Sequence, residues 1–83
     1  MNITLGTKIR ELRKARNLSQ ETLAQILGVS FQAVSKWENG TTMPDVMMIP
    51  AIASFFNVST DGLVKLINPL NHQKHLGLFA PSA

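Results

Sequence analysis

The 83-residue sequence predicts an all-α fold, in which five short helices form one compact domain around a central helix-turn-helix. Two observations support this prediction. Apolar residues recur at spacings of three and four, which is the period of a helix with one buried face. Residue types that start and stop helices alternate with these stripes, most clearly at Ser19, Gly28 and Ser30.

The first helix is predicted over residues 5–16. Leu5, Ile9 and Leu12 have the four-and-three spacing of a buried stripe, and Asn17 can end the helix. The same segment is rich in basic residues, which form either a solvated helix face or a surface for phosphate groups. These basic residues are Lys8, Arg10, Arg13, Lys14 and Arg16.

The helix-turn-helix is predicted from the segment SQETLAQILGVSFQAVSKWENG, residues 19–40. Ser19 can cap a second helix over residues 20–27, and Ser30 can cap a third over residues 31–39. Gly28 can adopt the positive φ that ends the second helix. Because so little chain separates them, the two helices must cross at a steep angle.

The two faces of the third helix differ in chemistry. At about 100° per residue, Ala33, Val34 and Trp37 point inward. The outward face would meet base edges and phosphates if this helix lay in the major groove of DNA. The outward side chains are Phe31, Gln32, Ser35 and Lys36.

The fourth helix is predicted over residues 45–56, after a loop over residues 39–44. Pro50 removes a backbone donor, so either the helix proper begins near Pro50 after a tight turn or its first turn is distorted. Val46 is expected to anchor the entrance of this helix. The core-facing residues are Met48, Ile49, Ile52, Ala53 and Phe56.

A second apolar stripe lies on the opposite side of the fourth helix and comprises Met47, Ala51 and Phe55. Helices that cover a small core usually carry polar groups there. Two explanations stay open: Phe55 folds against the C-terminal segment, or the stripe is a homodimer contact.

The fifth helix is predicted to begin near residue 59 or 60 and to stop at Asn68-Pro69. The expected division is therefore a DNA-binding domain over residues 1–68 and a C-terminal tail over residues 69–83. We expect the tail to be partly ordered, packing either on the domain or on a partner chain. This expectation rests on its apolar residues Leu76, Leu78 and Phe79.

Composition excludes several other classes of protein. Without cysteine the chain has neither disulfides nor thiolate metal sites, and His72 and His75 alone do not make a metal site. The carboxylates form no acid–base pair, so we expect no cofactor and no enzymatic activity. A net charge of +3 favours a polyanionic partner. With no membrane span or signal peptide, we expect a cytoplasmic location on the nucleoid.

Four segments make a more specific comparison possible: LRKARNLSQETLA from Leu12, LGVSFQAVSKWENG from Leu27, MPD from Met43 and FFNVSTDGL from Phe55. They resemble the Cro and phage-repressor type of helix-turn-helix protein, the XRE-like family of bacterial and phage regulators. The resemblance implies a lambda-repressor-like fold and a sequence-specific regulator of transcription that binds double-stranded DNA. It further implies a repressor that acts as a homodimer on a pseudo-palindromic operator.

The resemblance makes the third helix the recognition helix and implies roles for its side chains. Gln32 is expected to read adenine through its amide, and Lys36 to reach guanine or a phosphate. Ser35 is the least diagnostic of the base-reading candidates. Phe31 stands where relatives often have a polar residue, and its ring either contacts thymine methyl groups or folds over the turn.

Phosphate contacts are expected around the recognition helix. Gln20 begins the second helix, where relatives commonly contact a phosphate and brace the recognition helix. Arg13 and Glu38 resemble a pair that orients the recognition helix on the first helix, and an exposed pair would contribute only roughly 0.2 to 1 kcal/mol to stability. The other phosphate candidates are Arg10, Lys14, Asn39, Thr41 and Thr42.

An alternative function is an antitoxin or adaptor, a module that uses the same domain and the apolar tail to hold another protein. If the stripe on the fourth helix and the tail are covered by contacts within or between copies of this chain, the regulator is favoured. An uncovered patch would favour the interaction module.

Overall fold

The computed structural model describes residues 4–67. Within this range the order of the helices confirms the predicted all-α fold. The helices are α1 (Leu5–Ala15), α2 (Gln20–Leu27), α3 (Phe31–Asn39), α4 (Ile49–Phe56) and α5 (Thr60–Ile67). The bounds of α2 and α3 agree with the prediction, and α1 ends one residue earlier than predicted because Arg16 is its C-cap.

Local hydrogen bonds and backbone geometry set several helix ends. Thr4 and Thr7 form a reciprocal capping box at the start of α1, with each backbone N–H donating to the other residue's hydroxyl. Asn17 and Asn57 follow α1 and α4 with φ of 58°, a left-handed conformation that asparagine tolerates better than most residues. The predicted helix stop at Asn17 is therefore confirmed.

One apolar core joins all five helices. The helix α3 packs against α1 and α2, while α5 packs against α4 and α1. Every helix supplies at least one fully buried side chain, and burial of each contributes on the order of 1.5 to 3 kcal/mol. The largest are Ile9, Leu23, Val34, Ile49, Ile52 and Leu63.

The backbones of α1 and α3 meet at Gly6, which is buried. A Cβ atom added to Gly6 would overlap the carbonyl oxygen of Trp37 and lie 3.1 Å from its carbonyl carbon. Only glycine allows this approach, which holds the end of α3 close to the first turn of α1.

The start of α4 decides between the two alternatives for Pro50. A short 3₁₀ turn, Val46–Met48, comes first, and Asp45 Oδ1 accepts a hydrogen bond from the Met47 N–H at 3.2 Å. The helix α4 then begins at Ile49, with Pro50 in its first turn. A proline is tolerated there because the N–H it lacks would have no acceptor within the helix. The helix thus begins near Pro50 after a tight turn.

The expectation that Val46 anchors this entrance is wrong, because its side chain is 68% exposed. Val46 belongs to the 3₁₀ turn that precedes α4, and no residue of that turn is buried, so the core side begins only at Ile49. In the predicted second stripe, Met47 lies in the 3₁₀ turn and is exposed, Ala51 of α4 is exposed, and Phe55 of α4 is half-buried.

Phe55 is covered by the residue that ends α1. The guanidinium carbon of Arg16 lies 4.9 Å from the centroid of the Phe55 ring and 5.3 Å from that of Phe56. Arg16 Nη1 also donates to the carbonyl oxygen of Phe55 at 2.7 Å. These cation–π contacts and the hydrogen bond tie α1 to α4 and remove part of Phe55 from the exposed stripe.

Some expectations lie outside the described residues: the stop at Asn68-Pro69, the tail over residues 69–83 with its contact to Phe55, and His72 and His75. No helix within residues 4–67 is long and apolar enough to cross a membrane.

Candidate nucleic-acid interface

The turn between α2 and α3 is held by local hydrogen bonds. Gly28 has φ of 74°, and the next N–H, that of Val29, donates to the Ala24 carbonyl at 3.0 Å. Ser30 Oγ accepts from the Ala33 N–H at 3.1 Å. The predicted helix end at Gly28 and the predicted cap at Ser30 are confirmed, and together they set the angle at which α3 leaves the turn.

The predicted division of α3 into an inner and an outer side is also confirmed. Val34 and Trp37 are buried, and Ala33 is half-buried. The outer side offers an amide, an ammonium and an apolar ring to a ligand. Phe31, Gln32 and Lys36 are exposed there, and Ser35 is half-buried.

A buried carboxylate lies where α1, α2 and α3 meet. Arg13 binds Glu38 in a bidentate manner, with Nε donating to Oε2 at 2.7 Å and Nη2 donating to Oε1 at 2.9 Å. Gln20 Nε2 donates to Oε1 at 3.0 Å. Arg10 Nε lies 3.5 Å from the same oxygen. One carboxylate at the end of α3 thus connects this helix to both of the others.

The Arg13–Glu38 pair is buried, so the small contribution given above for an exposed pair does not apply to it. The side chain of Glu38 is 0% exposed and that of Arg13 is 11% exposed. Arg13 Nη1 also donates to the Leu18 carbonyl oxygen at 2.7 Å, so the guanidinium uses its three nitrogens. Removing one member of a buried pair costs about 3 to 5 kcal/mol because the other charge stays buried. Loss of either member is therefore expected to destabilise the fold as well as to release α3 from α1.

The electrostatics keep this pair ionised. Burial by itself would raise the pKa of Glu38, but hydrogen bonds from Arg13 and Gln20 and the charge of Arg13 outweigh it, so the pKa of Glu38 lies below its ordinary value. The hydrogen bond to Glu38 likewise raises the pKa of Arg13.

Gln20 has the bracing contact that was expected of it, because its bond to Glu38 links α2 to the recognition helix. A primary amide has two N–H groups. The second N–H of Gln20 is therefore a candidate donor to a phosphate oxygen.

The basic residues of α1 divide into two kinds. Arg13 and Arg16 are used inside the protein, on Glu38 and on Phe55. Arg10 and Lys14 lie four residues apart on one exposed side of α1. The contact of Arg10 with Glu38 places this side beside the end of α3.

The loop after α3 carries the remaining phosphate candidates. The N–H of Thr41 donates both to the Lys36 carbonyl and to Asn39 Oδ1, each at 2.9 Å, and the N–H of Thr42 donates to the same carbonyl at 3.3 Å. The backbone N–H groups of Thr41 and Thr42 are therefore used internally. The Asn39 amide NH₂ and the Thr42 hydroxyl have no acceptor within residues 4–67, so they are the donors available to a phosphate.

Sequence analysis gave Gln20 a bracing role without naming Glu38 as its partner, and it did not predict the contact of Arg10 with Glu38. The burial of the pair had a signal in the spacing: Glu38 follows the inward Val34 by four residues, and Arg13 follows Ile9 by four. Within residues 4–67, no cluster of three or more His, Asp or Glu side chains could hold a metal ion.

Comparisons with known proteins agree with this geometry. A family model described as Helix-turn-helix matches residues 9–63. The HTH-type transcriptional activator BcrR of Enterococcus faecalis is 44% identical over 57 residues, which cover 69% of this chain and 28% of BcrR. The antitoxin PezA of Streptococcus pneumoniae is 38% identical over 69 residues, which cover 80% of this chain and 44% of PezA. The chain thus spans less than half the length of either relative.

A solved structure extends the comparison to three dimensions. The P22 c2 repressor protein, crystallised in complex with synthetic operator 9T, superposes with a TM-score of 0.70 at 32% identity. The superposition covers 75% of this chain and 94% of that one. The lambda-repressor-like fold is therefore confirmed, and the chain belongs to the helix-turn-helix family of the Cro and phage-repressor type.

Proposed function

We propose that this chain binds a specific site on double-stranded DNA through α3 and regulates transcription, as a repressor that occupies a pseudo-palindromic operator. The observation that carries the proposal is the exposed polar face of α3, held on the domain by the buried carboxylate of Glu38. The similarity to a repressor crystallised in complex with a synthetic operator supports DNA as the ligand of this face.

Base reading is assigned to four residues of α3. The amide of Gln32 can donate to adenine N7 and accept from N6, and the ammonium of Lys36 can donate to guanine O6 and N7. Phe31 offers thymine methyl groups an apolar partner, and Ser35 can bond to either kind of base edge. The mixed chemistry of this face predicts a site that contains more than one base type.

Phosphate contact is assigned to the surface around α3, because positioning on the duplex comes mainly from its backbone. The residues are Arg10, Lys14, Gln20, Asn39, Thr41 and Thr42, of which Thr41 would have to release its internal hydrogen bonds to Asn39 in order to donate to a phosphate. Affinity should then fall steeply with salt, by about 0.9 in the log–log slope for each phosphate neutralised.

The chain is proposed to act as a homodimer through the stripe of Met47, Ala51 and Phe55. Met47 is 79% exposed, and together with the exposed Ala51 and the half-buried Phe55 it offers apolar surface that a second copy could cover. Two joined recognition helices would read half-sites about 34 Å apart on one face of the duplex. The proposal places the protein on the nucleoid in the cytoplasm and assigns it no enzymatic chemistry, metal or cofactor.

The test is selection of bound duplexes from a random library by the full chain. We expect enrichment of a motif with two related half-sites spaced by about one helical turn, roughly 10 base pairs. Enrichment of a single half-site would retain DNA reading and reject the dimer. Recovery of a library without any preferred sequence would contradict the proposed function.

An antitoxin or adaptor that holds another protein is the second candidate, and the likeness to PezA favours it. The two functions differ in their dependence on α3. Exchange of Gln32 for Ala should impair a regulator but leave the binding of a protein to the α4 surface unchanged.

A further inference from the structure

A groove opens at the end of the domain where the first turn of α1, the end of α3, the following loop and the end of α5 come together. It encloses about 490 Å³, which is within the range of about 300 to 1,000 Å³ typical of ligand sites. Its polar lining includes Thr4 and Thr42. Its apolar lining consists of Leu5, Trp37, Met43, Pro44, Leu66 and Ile67.

This groove is separate from the proposed base-reading surface. The groove contacts α3 through Trp37 on its inner side, whereas Gln32 lies on the outer side. Met43 lines the groove and is 50% exposed, so an occupant would remove apolar surface from water. The chemistry of the lining therefore suits a segment with several apolar side chains and little charge.

We propose that the occupant is the C-terminal segment of the same chain, residues 68–83. Ile67 is the last residue of α5 and lines the groove, so this segment begins at the edge of the groove. Pro69 cannot continue α5, since its ring would clash with the carbonyl of Lys65. From the sequence we therefore expect the segment to turn away from the axis of α5 beside the groove.

The composition of the segment matches the lining. Its only charged side chain, apart from histidine, is that of Lys74, and residues 76–80, LGLFA, carry none. Leu76 is nine positions after Ile67, which is up to about 30 Å of extended chain, so the apolar part can fold back to a groove that Ile67 itself borders. A short tether also gives the segment an effective concentration of order mM, which favours the chain's own segment over that of another copy.

Occupancy would act on the surface around α3, a consequence that rests on the proposed function. The loop that lines the groove at Thr42 also carries Asn39 and Thr41, which are proposed phosphate contacts. A docked segment would hold this loop in place and lower the entropy cost of binding DNA. Docking itself can be tested without DNA, so its failure is distinguishable from failure of the proposed function.

The test uses the full chain, which has no cysteine, so that Ser82→Cys provides a unique site for a paramagnetic spin label. In the ¹⁵N-labelled protein we expect loss of amide signal at Thr4 and Thr42. The signal of Gln25, on the exposed side of α2, should persist.

Two comparisons decide the origin of the effect. Adding Leu78→Asp and Phe79→Asp together to the spin-labelled protein should restore the amide signals, because burying a charge in an apolar groove is costly. Adding Gln73→Asp instead is the control and should leave the signals lost. A second sample mixes chains that carry the spin label but no ¹⁵N with ¹⁵N-labelled chains that carry no spin label. Signal loss only in this mixture would assign the groove to a second copy and overturn the proposal. Unchanged signals at the groove, or a loss that the aspartates do not reverse, would also overturn it.

Discussion

Arg13 holds both oxygens of Glu38, with its Nε and Nη2 atoms 2.7 and 2.9 Å away, although the two residues are 25 positions apart. Arg13 belongs to α1 and Glu38 to the last turn of α3, so the pair fastens the recognition helix to the rest of the domain. Gln20 adds α2 through a third hydrogen bond. The direction in which α3 presents its outer face thus depends on a polar contact as well as on the core.

Removal of one charge of this pair should be costly. Glu38→Leu leaves the Arg13 guanidinium buried without its anion, and we expect the free energy of unfolding to fall by about 3 to 5 kcal/mol. The double variant Arg13→Met, Glu38→Leu should recover much of this loss, because apolar side chains replace both charges. Urea unfolding followed by circular dichroism measures both. A cost for Glu38→Leu below about 1 kcal/mol, the range of exposed pairs, would show that burial has no energetic consequence here.

Stability should depend on pH through Glu38. Its pKa is lower in the folded protein than the ordinary value of about 4.3. The resulting stabilisation is fully present above about pH 4.3 and is lost as the pH falls through the folded-state pKa. Glu38→Gln should remove this part of the pH dependence from urea unfolding curves, while Glu11→Gln, at an exposed carboxylate of α1, should retain it. If the free energy of unfolding falls with pH in the same way for the wild type and for Glu38→Gln from pH 6 downward, the assignment to Glu38 is contradicted.

The close approach of α1 and α3 gives a second stability prediction. Gly6→Ala should lower the free energy of unfolding by at least about 1 to 3 kcal/mol, because its methyl group overlaps the Trp37 carbonyl. Gly62→Ala is the control, since its methyl group meets only the Ser59 hydroxyl, at 2.9 Å, and alanine favours a helix. Thermal unfolding of both variants checks this. Equal stability of the two would mean that the helices can separate at Gly6 at little cost.

The proposed dimer is tested best at Met47. Phe55 is a poorer probe because it also holds Arg16. Met47→Asp should shift the protein toward monomer, since an interface would bury an unpaired carboxylate. Ser54→Asp adds the same charge at an exposed position of α4 and serves as the control. Sedimentation equilibrium decides: a monomeric wild type, or a Met47→Asp protein that associates as well as the wild type, would reject this interface.

Features set by residues close together in the sequence were predicted well, whereas features set by contacts between distant residues were not. The bounds of α2 and α3 followed from neighbouring residues, because Ser19, Gly28 and Ser30 act on backbone groups within one turn. The exposure of Val46 was missed because apolar spacing does not distinguish a 3₁₀ turn from the first turn of an α-helix.

Longer-range features were less accessible. The Arg13–Glu38 pair came from the family resemblance, but its burial and the added bonds from Gln20 and Arg10 depend on how three helices pack. The need for glycine at position 6 is equally tertiary, since the Trp37 carbonyl lies on another helix. Among the base-reading candidates, Phe31, Gln32 and Lys36 are exposed on α3 and Ser35 is half-buried. The contacts of all four with DNA stay predictions.

The central claim is that α3 reads bases while the side of α1 near it contacts phosphates, and affinity across DNA sequences measures it most directly. Binding of Gln32→Ala and of Lys14→Ala should be compared on the selected duplex and on single-base variants of it. We expect Gln32→Ala to cost about 1 to 3 kcal/mol on the selected duplex and to lose discrimination at one or two positions per half-site. Lys14→Ala should lower the affinity for all of these duplexes by a similar factor. Unchanged discrimination by the Gln32→Ala protein would contradict the account.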